Sequence, residues 1–170
     1  MNSTYNQLCT NLEQLKLGQM KEKLDETIDF ISKNNLPFAE GLLKLSNYEV
    51  YLKESNAAKT MVKAGSFPFQ KGLEDFEFAF QPSVNQEQIQ DFMTLRFLEK
   101  QENIVFLGSS GVGKTHLATV VGITAAKKGS STYFIKCHEL LQQLKRAKLE
   151  NRLETTRLKH FCKYKLLILY

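Results

Sequence analysis

The chain has 170 residues, three cysteines and a formal net charge of +5, with 42% apolar and 24% charged residues. That length builds one domain with a real core, or a small domain plus part of a larger one, and the composition is that of an ordinary soluble protein. No apolar run approaches membrane-spanning length, and the start (Met1-Asn2-Ser3-Thr4-Tyr5) has no basic-then-apolar signal pattern, so a cytoplasmic protein is expected. Cys9, Cys137 and Cys162 are widely spaced with no C-x-x-C pair, which favours reduced thiols over a metal site. The positive balance makes an acidic partner plausible, nucleic acid first.

In chain order, Leu8, Leu12, Leu15, Met20, Leu24, Ile28 and Ile31 recur at steps of three and four. They predict an amphipathic helix over 7–31, with Gly18 as its point of bending or breakage. Lys33-Asn34-Asn35-Leu36-Pro37 is a stop signal, and Pro37-Phe38-Ala39-Glu40 opens a second helix towards Met61. Its apolar side is Phe38, Leu42, Leu45, Val50 and Leu52. Residues 1–63 thus read as a small all-helical N-terminal domain, whose apolar faces are most simply core and, in a second reading, a docking surface for a partner protein or DNA. Residues 64–84 form an aromatic linker: Gly65, Pro68, Gly72 and Pro82 break regular structure while Phe67, Phe69, Phe76, Phe78 and Phe80 dock it on a core. A sharper reading has Leu73-Glu74-Asp75-Phe76 walling a nucleobase pocket.

From Asn85 to Lys100 one helix is predicted, with Ile89, Phe92, Met93, Leu95, Phe97 and Leu98 on its apolar face. Ile104-Val105-Phe106-Leu107 reads as a buried strand running into Gly108-Ser109-Ser110-Gly111-Val112-Gly113-Lys114-Thr115. This run satisfies every fixed position of the P-loop pattern G-x-x-x-x-G-K-[ST]. The residue types follow from phosphate chemistry. Glycines let main-chain N–H groups close around anionic oxygens, and the next helix aims its positive end at the same anion. Lys114 would reach the β- and γ-phosphates, and the Thr115 hydroxyl would ligate Mg²⁺.

A helix then carries Leu117, Ala118, Val121, Ile123 and Ala125 to Lys127-Lys128-Gly129. Thr132-Tyr133-Phe134-Ile135 is a strand. Residues 137–163 read as helix in one or two pieces, with Leu140, Leu141, Leu144, Leu149, Leu153, Leu158 and Phe161 inside, and 164–170 as a second buried strand. Strand, P-loop, helix, strand, helix, strand is the opening of a three-layer α/β fold with a parallel sheet, assigned to residues 85–170.

Taken together, Leu15-Lys16-Leu17-Gly18-Gln19-Met20, Phe38 to Glu49, Leu73-Glu74-Asp75-Phe76-Glu77-Phe78, Glu102 to Val105, Gly108 to Ala118 and Tyr164 to Leu169 resemble the IstB-like ATP-binding proteins. These helpers of insertion-sequence transposition are similar to the DnaC-like helicase loaders of the AAA+ class. The P-loop alone is widely shared; G-K-T-H-L-A with the helical N-terminal domain and the Leu-Glu-Asp-Phe segment carries the specificity. The resemblance implies a P-loop NTPase of AAA+ type binding ATP and Mg²⁺ through Gly108 to His116, homo-oligomers on DNA, and delivery of a transposase to its target. A helicase-loading role in replication is the alternative client.

In the family's pattern the terminal strand runs into an Asp-Glu pair, the Walker B acids, which support Mg²⁺ and activate the attacking water. Tyr170 stands at the first of those positions, and no sensor residue or arginine finger is found in these residues. The resemblance is therefore to a copy truncated at the Walker B strand, expected to bind ATP without hydrolysing it efficiently. A non-functional remnant is a further alternative, whereas a small-molecule kinase would need a lid and an acceptor motif that the sequence lacks.

Lys145, Arg146, Lys148 and Arg152 head a basic stretch that continues through Arg157, Lys159, Lys163 and Lys165. Interleaved Glu150 and Glu154 fit a solvated helix face, and the cations fit sequence-independent contact with DNA phosphates. His116, one turn into the helix, reads as a structural or supporting residue of the loop. His138 and His160 are too scattered for a metal site.

Overall fold

The computed structural model describes residues 3–150 and 157–170, in two compact units, Met1–Ala57 and Ala58–Tyr170. The first holds α1 (Ser3–Gln14), α2 (Gly18–Glu22), α3 (Leu24–Asn34) and the greater part of α4 (Phe38–Ala64). The single helix expected over 7–31 is thus three helices. The first break falls at Lys16, which takes a left-handed φ of 57° just before Gly18. The buried carboxylate of Glu49 anchors the start of α2: its Oε2 accepts from the backbone N–H of Gln19 at 3.0 Å and of Met20 at 3.4 Å. An anion at this helix end satisfies donors that the helix itself leaves unpaired. α3 ends as its stop signal predicts, on Asn35 in the left-handed conformation.

Leu12, Leu24 and Leu45 form the core of this unit. Leu8, Leu15 and Ile28, expected in the same apolar row, are exposed, as are Phe38, Leu42 and Val50 of α4. The break at Lys16 takes Leu15 out of the row begun by Leu8 and Leu12, and three short helices bury a narrower stripe than one continuous helix would.

In the second unit, Gly65 to Pro82 carry only two short 3-10 turns, Leu73–Asp75 and Phe78–Phe80, as their Gly and Pro content predicts. The helix expected over 85–100 is split into α5 (Gln86–Thr94) and α6 (Arg96–Glu99) at Leu95, whose φ of 67° is left-handed. Burial compensates the strain, since Leu95 and Phe97 pack with Val121 and Ala125. Asn85 caps α5 through its side-chain oxygen, which accepts from the N–H of Gln88 at 3.1 Å. α7 (Lys114–Lys127), β1 (Thr132–Ile135), α8 (Cys137–Leu149), α9 (Lys159–Cys162) and β2 (Leu166–Leu169) complete the described order.

β1 and β2 pair in parallel, with Thr132 opposite Leu166 and Ile135 opposite Leu169. α7 covers one face of the sheet. At Gly122 it comes so close that a Cβ would lie 2.5 Å from Ile168 Cδ1 and 2.6 Å from Phe67 Cε1. Tyr133 points to the opposite face and stacks on Tyr164 at 4.9 Å. Beyond β1, the Phe134 N–H donates to the Gly65 carbonyl at 2.8 Å, so the aromatic segment partly covers that edge.

Two expectations for this half are corrected. Ile104–Leu107 is extended but pairs with no strand among the described residues, so the sheet has two strands where three are predicted. Ile104 and Phe106 turn inward onto separate core clusters, while Val105 and Leu107 point out and are 74% and 88% exposed. The segment has the two-residue alternation of a strand with only one face covered. In the helical stretch after β1, Ala147 and Phe161 are buried, but Leu141, Leu149 and Leu158 are exposed. Leu153 lies outside the described residues.

Candidate functional site

The phosphate-loop sequence forms a sharp bend between Leu107 and α7. Three of its glycines have positive φ: 154° at Gly108, 83° at Gly111 and 87° at Gly113. Residues with a Cβ rarely adopt such angles, which gives the glycine spacing its structural reason. Ser109 and Ser110 lie exposed at the tip, while Val112 is half-buried. Lys114 is the first residue of α7, and its Nζ donates to the carbonyls of Gly108 at 2.9 Å and Ser109 at 2.6 Å. The ammonium therefore sits inside the curl of the loop. Thr115 follows in the first helical turn, and its carbonyl accepts from the buried Thr119 hydroxyl at 2.6 Å.

The residues present fit a triphosphate with Mg²⁺. The main-chain N–H groups at the start of α7 are donors with no partner one turn earlier in the helix, and Lys114 supplies a positive charge beside them. The Thr115 hydroxyl is the oxygen that would hold Mg²⁺ together with phosphate oxygens.

Sequence reasoning missed how the aromatic segment supports this loop. The Phe76 ring packs against Gly113, where a Cβ would lie 2.5 Å from Phe76 Cε2. His116 is clasped between Phe69 and Phe76, with ring centroids 5.6 Å and 5.5 Å away. Its Nε2 lies 3.1 Å from the Gly72 carbonyl, the distance of a hydrogen bond when that nitrogen carries the proton. His116 thus joins the segment to the helix from within. The expected nucleobase wall is placed differently: Leu73, Glu74 and Asp75 line a pocket of about 390 Å³ along α7, with Val120 and Lys127, and no residue of the phosphate loop borders it. Spacing gives no sign of the clasp; the only signal is the density of phenylalanine.

Lys145, Arg146 and Lys148 are exposed on α8, with Arg146 bonded to Glu150 at 2.9 Å, and Arg152 lies outside the described residues. His138 is exposed, and His160 packs in the Tyr133 and Tyr164 cluster. Tyr170 continues the β2 ladder: its N–H donates to Ile135 at 3.4 Å, and its carbonyl accepts from Cys137 at 2.9 Å. Its ring centroid lies 4.6 Å from that of Phe134.

The profile of the IstB-like ATP binding protein family matches residues 10–170, nearly the whole chain. This chain belongs to the IstB-like family. It is 63% identical over 169 residues, 99% of its length and 67% of the relative's, to a protein of insertion sequence IS232 from Bacillus thuringiensis subsp. berliner. It is 38% identical over 155 residues to one of insertion sequence IS5376 from Geobacillus stearothermophilus, covering 91% of this chain and 61% of that one. With a protein of insertion sequence IS21 from Pseudomonas aeruginosa it shares 32% over 143 residues, covering 84% and 54%. All three relatives are named for ATP binding. The IstB-like chain thus spans between 54% and 67% of the length of these relatives. The IstB-like family has the AAA+ P-loop fold, of which the two-stranded parallel sheet with its P-loop helix is an incomplete form. No described helix is long and apolar enough to cross a membrane.

Proposed function

We propose that this chain binds Mg-ATP at Gly108 to Thr115, with His116 supporting the loop, and contacts DNA phosphates through the basic face of α8. In this reading it serves insertion-sequence transposition in the cytoplasm, assembling on DNA as a homo-oligomer and delivering a transposase. One observation carries the nucleotide reading: the Lys114 ammonium lies inside a bend of positive-φ glycines at the start of α7. The family membership and the ATP-binding names of the relatives support it further. Lys114 exchanges carbonyl oxygens for phosphate oxygens, which are more negative and form stronger charge-assisted bonds. Main-chain donors hold the anion, and the Thr115 hydroxyl holds Mg²⁺, whose bound form neutralises phosphate charge.

Tyr170, which stands where the family's pattern has its metal-supporting Asp, packs its ring on Phe134, and a phenol in place of that carboxylate is expected to make turnover inefficient. Retention of a fluorescent ATP analogue by the wild type and its loss in Lys114→Ala tests the nucleotide reading; equal retention would refute it. For DNA, the pair Lys145→Glu and Lys148→Glu is expected to weaken binding to all sequences alike. It should also reduce the slope of log affinity against log salt by about 2. An unchanged slope would remove α8 from the interface.

A further inference from the structure

Residues 65–80, the aromatic segment, run beside α7 and are fixed to it at two places. At the middle of the helix, a Cβ on Gly122 would lie 2.6 Å from Phe67 Cε1. At its first turn, Phe76 lies against Gly113, Phe69 and Phe76 clasp His116, and the Gly72 carbonyl is 3.1 Å from His116 Nε2. Between these anchorages, residues 70–75 stand off α7 across the cavity of about 390 Å³, which Val120 and Ile123 line from the helix side. Val62, near the end of α4, borders the same cavity and packs with Ile123 and Ala126. Hydrogen bonds within the segment are local. The Gly72 N–H donates to Asp75 Oδ2 at 2.9 Å and the Phe76 N–H to the Leu73 carbonyl at 3.0 Å. Just after α4, Ser66 is strained, with a left-handed φ of 56°. Such a segment opens locally at small cost, whereas the packed contact at Gly113 ties the Phe76 ring to the loop.

We infer that this segment is a strap coupling the phosphate loop to the end of α4, closing on α7 when the loop holds the phosphates of a nucleotide. The inference rests on the nucleotide reading above and adds how that site is coupled to the rest of the unit. Phosphate oxygens take the Lys114 ammonium from the Gly108 and Ser109 carbonyls, and the loop main chain re-forms around the anion. No side chain stands between the Gly113 main chain and Phe76, so a shift of the loop reaches the ring directly. The ring passes it along the strap to residues 70–75, over the cavity. Closure of that stretch narrows the cavity and fixes Val62, which is part of its wall. Linkage makes the effect reciprocal: whatever loosens the strap weakens the nucleotide by the same factor.

Amide hydrogen exchange on the full chain, with and without saturating Mg-ATP, tests it, with retention of a fluorescent ATP analogue measured alongside. Mg-ATP is expected to slow exchange about tenfold at Gly72 and Phe76, and at Gly65, whose N–H donates to the Met61 carbonyl at the end of α4. α5 (Gln86–Thr94) should change less. Phe69→Leu fills the space without a ring edge on His116. It should weaken the analogue about tenfold and remove the added protection at Gly65 even at saturation. Phe69→Tyr keeps the ring and should restore both. Retention of the analogue with unchanged exchange at Gly65 overturns the coupling alone. So does equal slowing in α5, which is overall stabilisation, or a Phe69→Leu chain with wild-type affinity and protection. A wild-type chain that does not retain the analogue refutes the nucleotide reading, and the strap inference falls with it. If Phe69→Leu melts early, His116→Phe, which loses the bond to the Gly72 carbonyl, takes its place, and protection at Gly65 that survives it is equally contrary.

Discussion

The edge of the Phe76 ring occupies the space that a side chain on Gly113 would need, 2.5 Å from an added Cβ. Gly113 is therefore constrained twice, by its φ of 87° and by this ring. Gly111, with φ of 83°, has nothing within 4 Å of the same point. Gly113→Ala is expected to destabilise the chain by more than the ~1–2 kcal/mol of left-handed strain and to weaken ATP binding at least tenfold. Gly111→Ala should show the strain alone. Urea denaturation and nucleotide titration of the two variants check this, and equal effects would mean that Phe76 does not press on the loop.

Glu49 supports a second prediction. Its carboxylate is 5% exposed and accepts from two amides of α2. Glu49→Ala should destabilise the helical unit by about 1 kcal/mol or somewhat more, since it leaves two part-buried donors without this acceptor. Glu49→Gln keeps an oxygen in place and should lie between that variant and wild type. Chemical denaturation followed at helical wavelengths checks the order of the three.

His160 gives a pH dependence. Its imidazole pKa is lowered by burial first, then by the nearby charges of Lys163 and Arg157, while Tyr133 and Tyr164 pack on the ring. The folded chain thus binds fewer protons here than the unfolded chain does below the ordinary histidine value. The contribution of His160 is present above about pH 6.5 and lost as pH falls through that value towards the lowered one. His160→Phe should flatten the fall in stability between neutral and mildly acidic pH. Urea midpoints for both proteins on either side of that range check it, and parallel curves would count against the assignment.

The sequence was most informative where a local rule decides the outcome. Pro37 and Asn35 mark the end of α3, Lys127-Lys128-Gly129 the end of α7, and the glycines of the phosphate loop take the positive φ that their spacing demands. It misled where tertiary contacts decide. Nothing in the period of Leu12, Leu15 and Met20 reveals that Lys16 turns left-handed, or that Glu49, thirty residues on from Gln19, caps the next helix. Leu95 likewise breaks a helical pattern because its burial outweighs the cost of the turn. The alternation in Ile104 to Leu107 was legible as a strand, but pairing is a property of neighbours and was not. For the site, the loop could be read from spacing alone. The clasp of Phe69 and Phe76 on His116 could not, because its partners lie far apart in sequence.

The most direct test of the nucleotide site is a titration of the folded chain with Mg-ATP, followed by calorimetric heat and by melting temperature, with Lys114→Ala in parallel. A single saturable heat is expected, with about 2.7 kcal/mol of added stability at a nucleotide concentration one hundred times the Kd, and neither in the variant. A wild-type chain whose heat and melting point do not move, or a variant that responds equally, would contradict it.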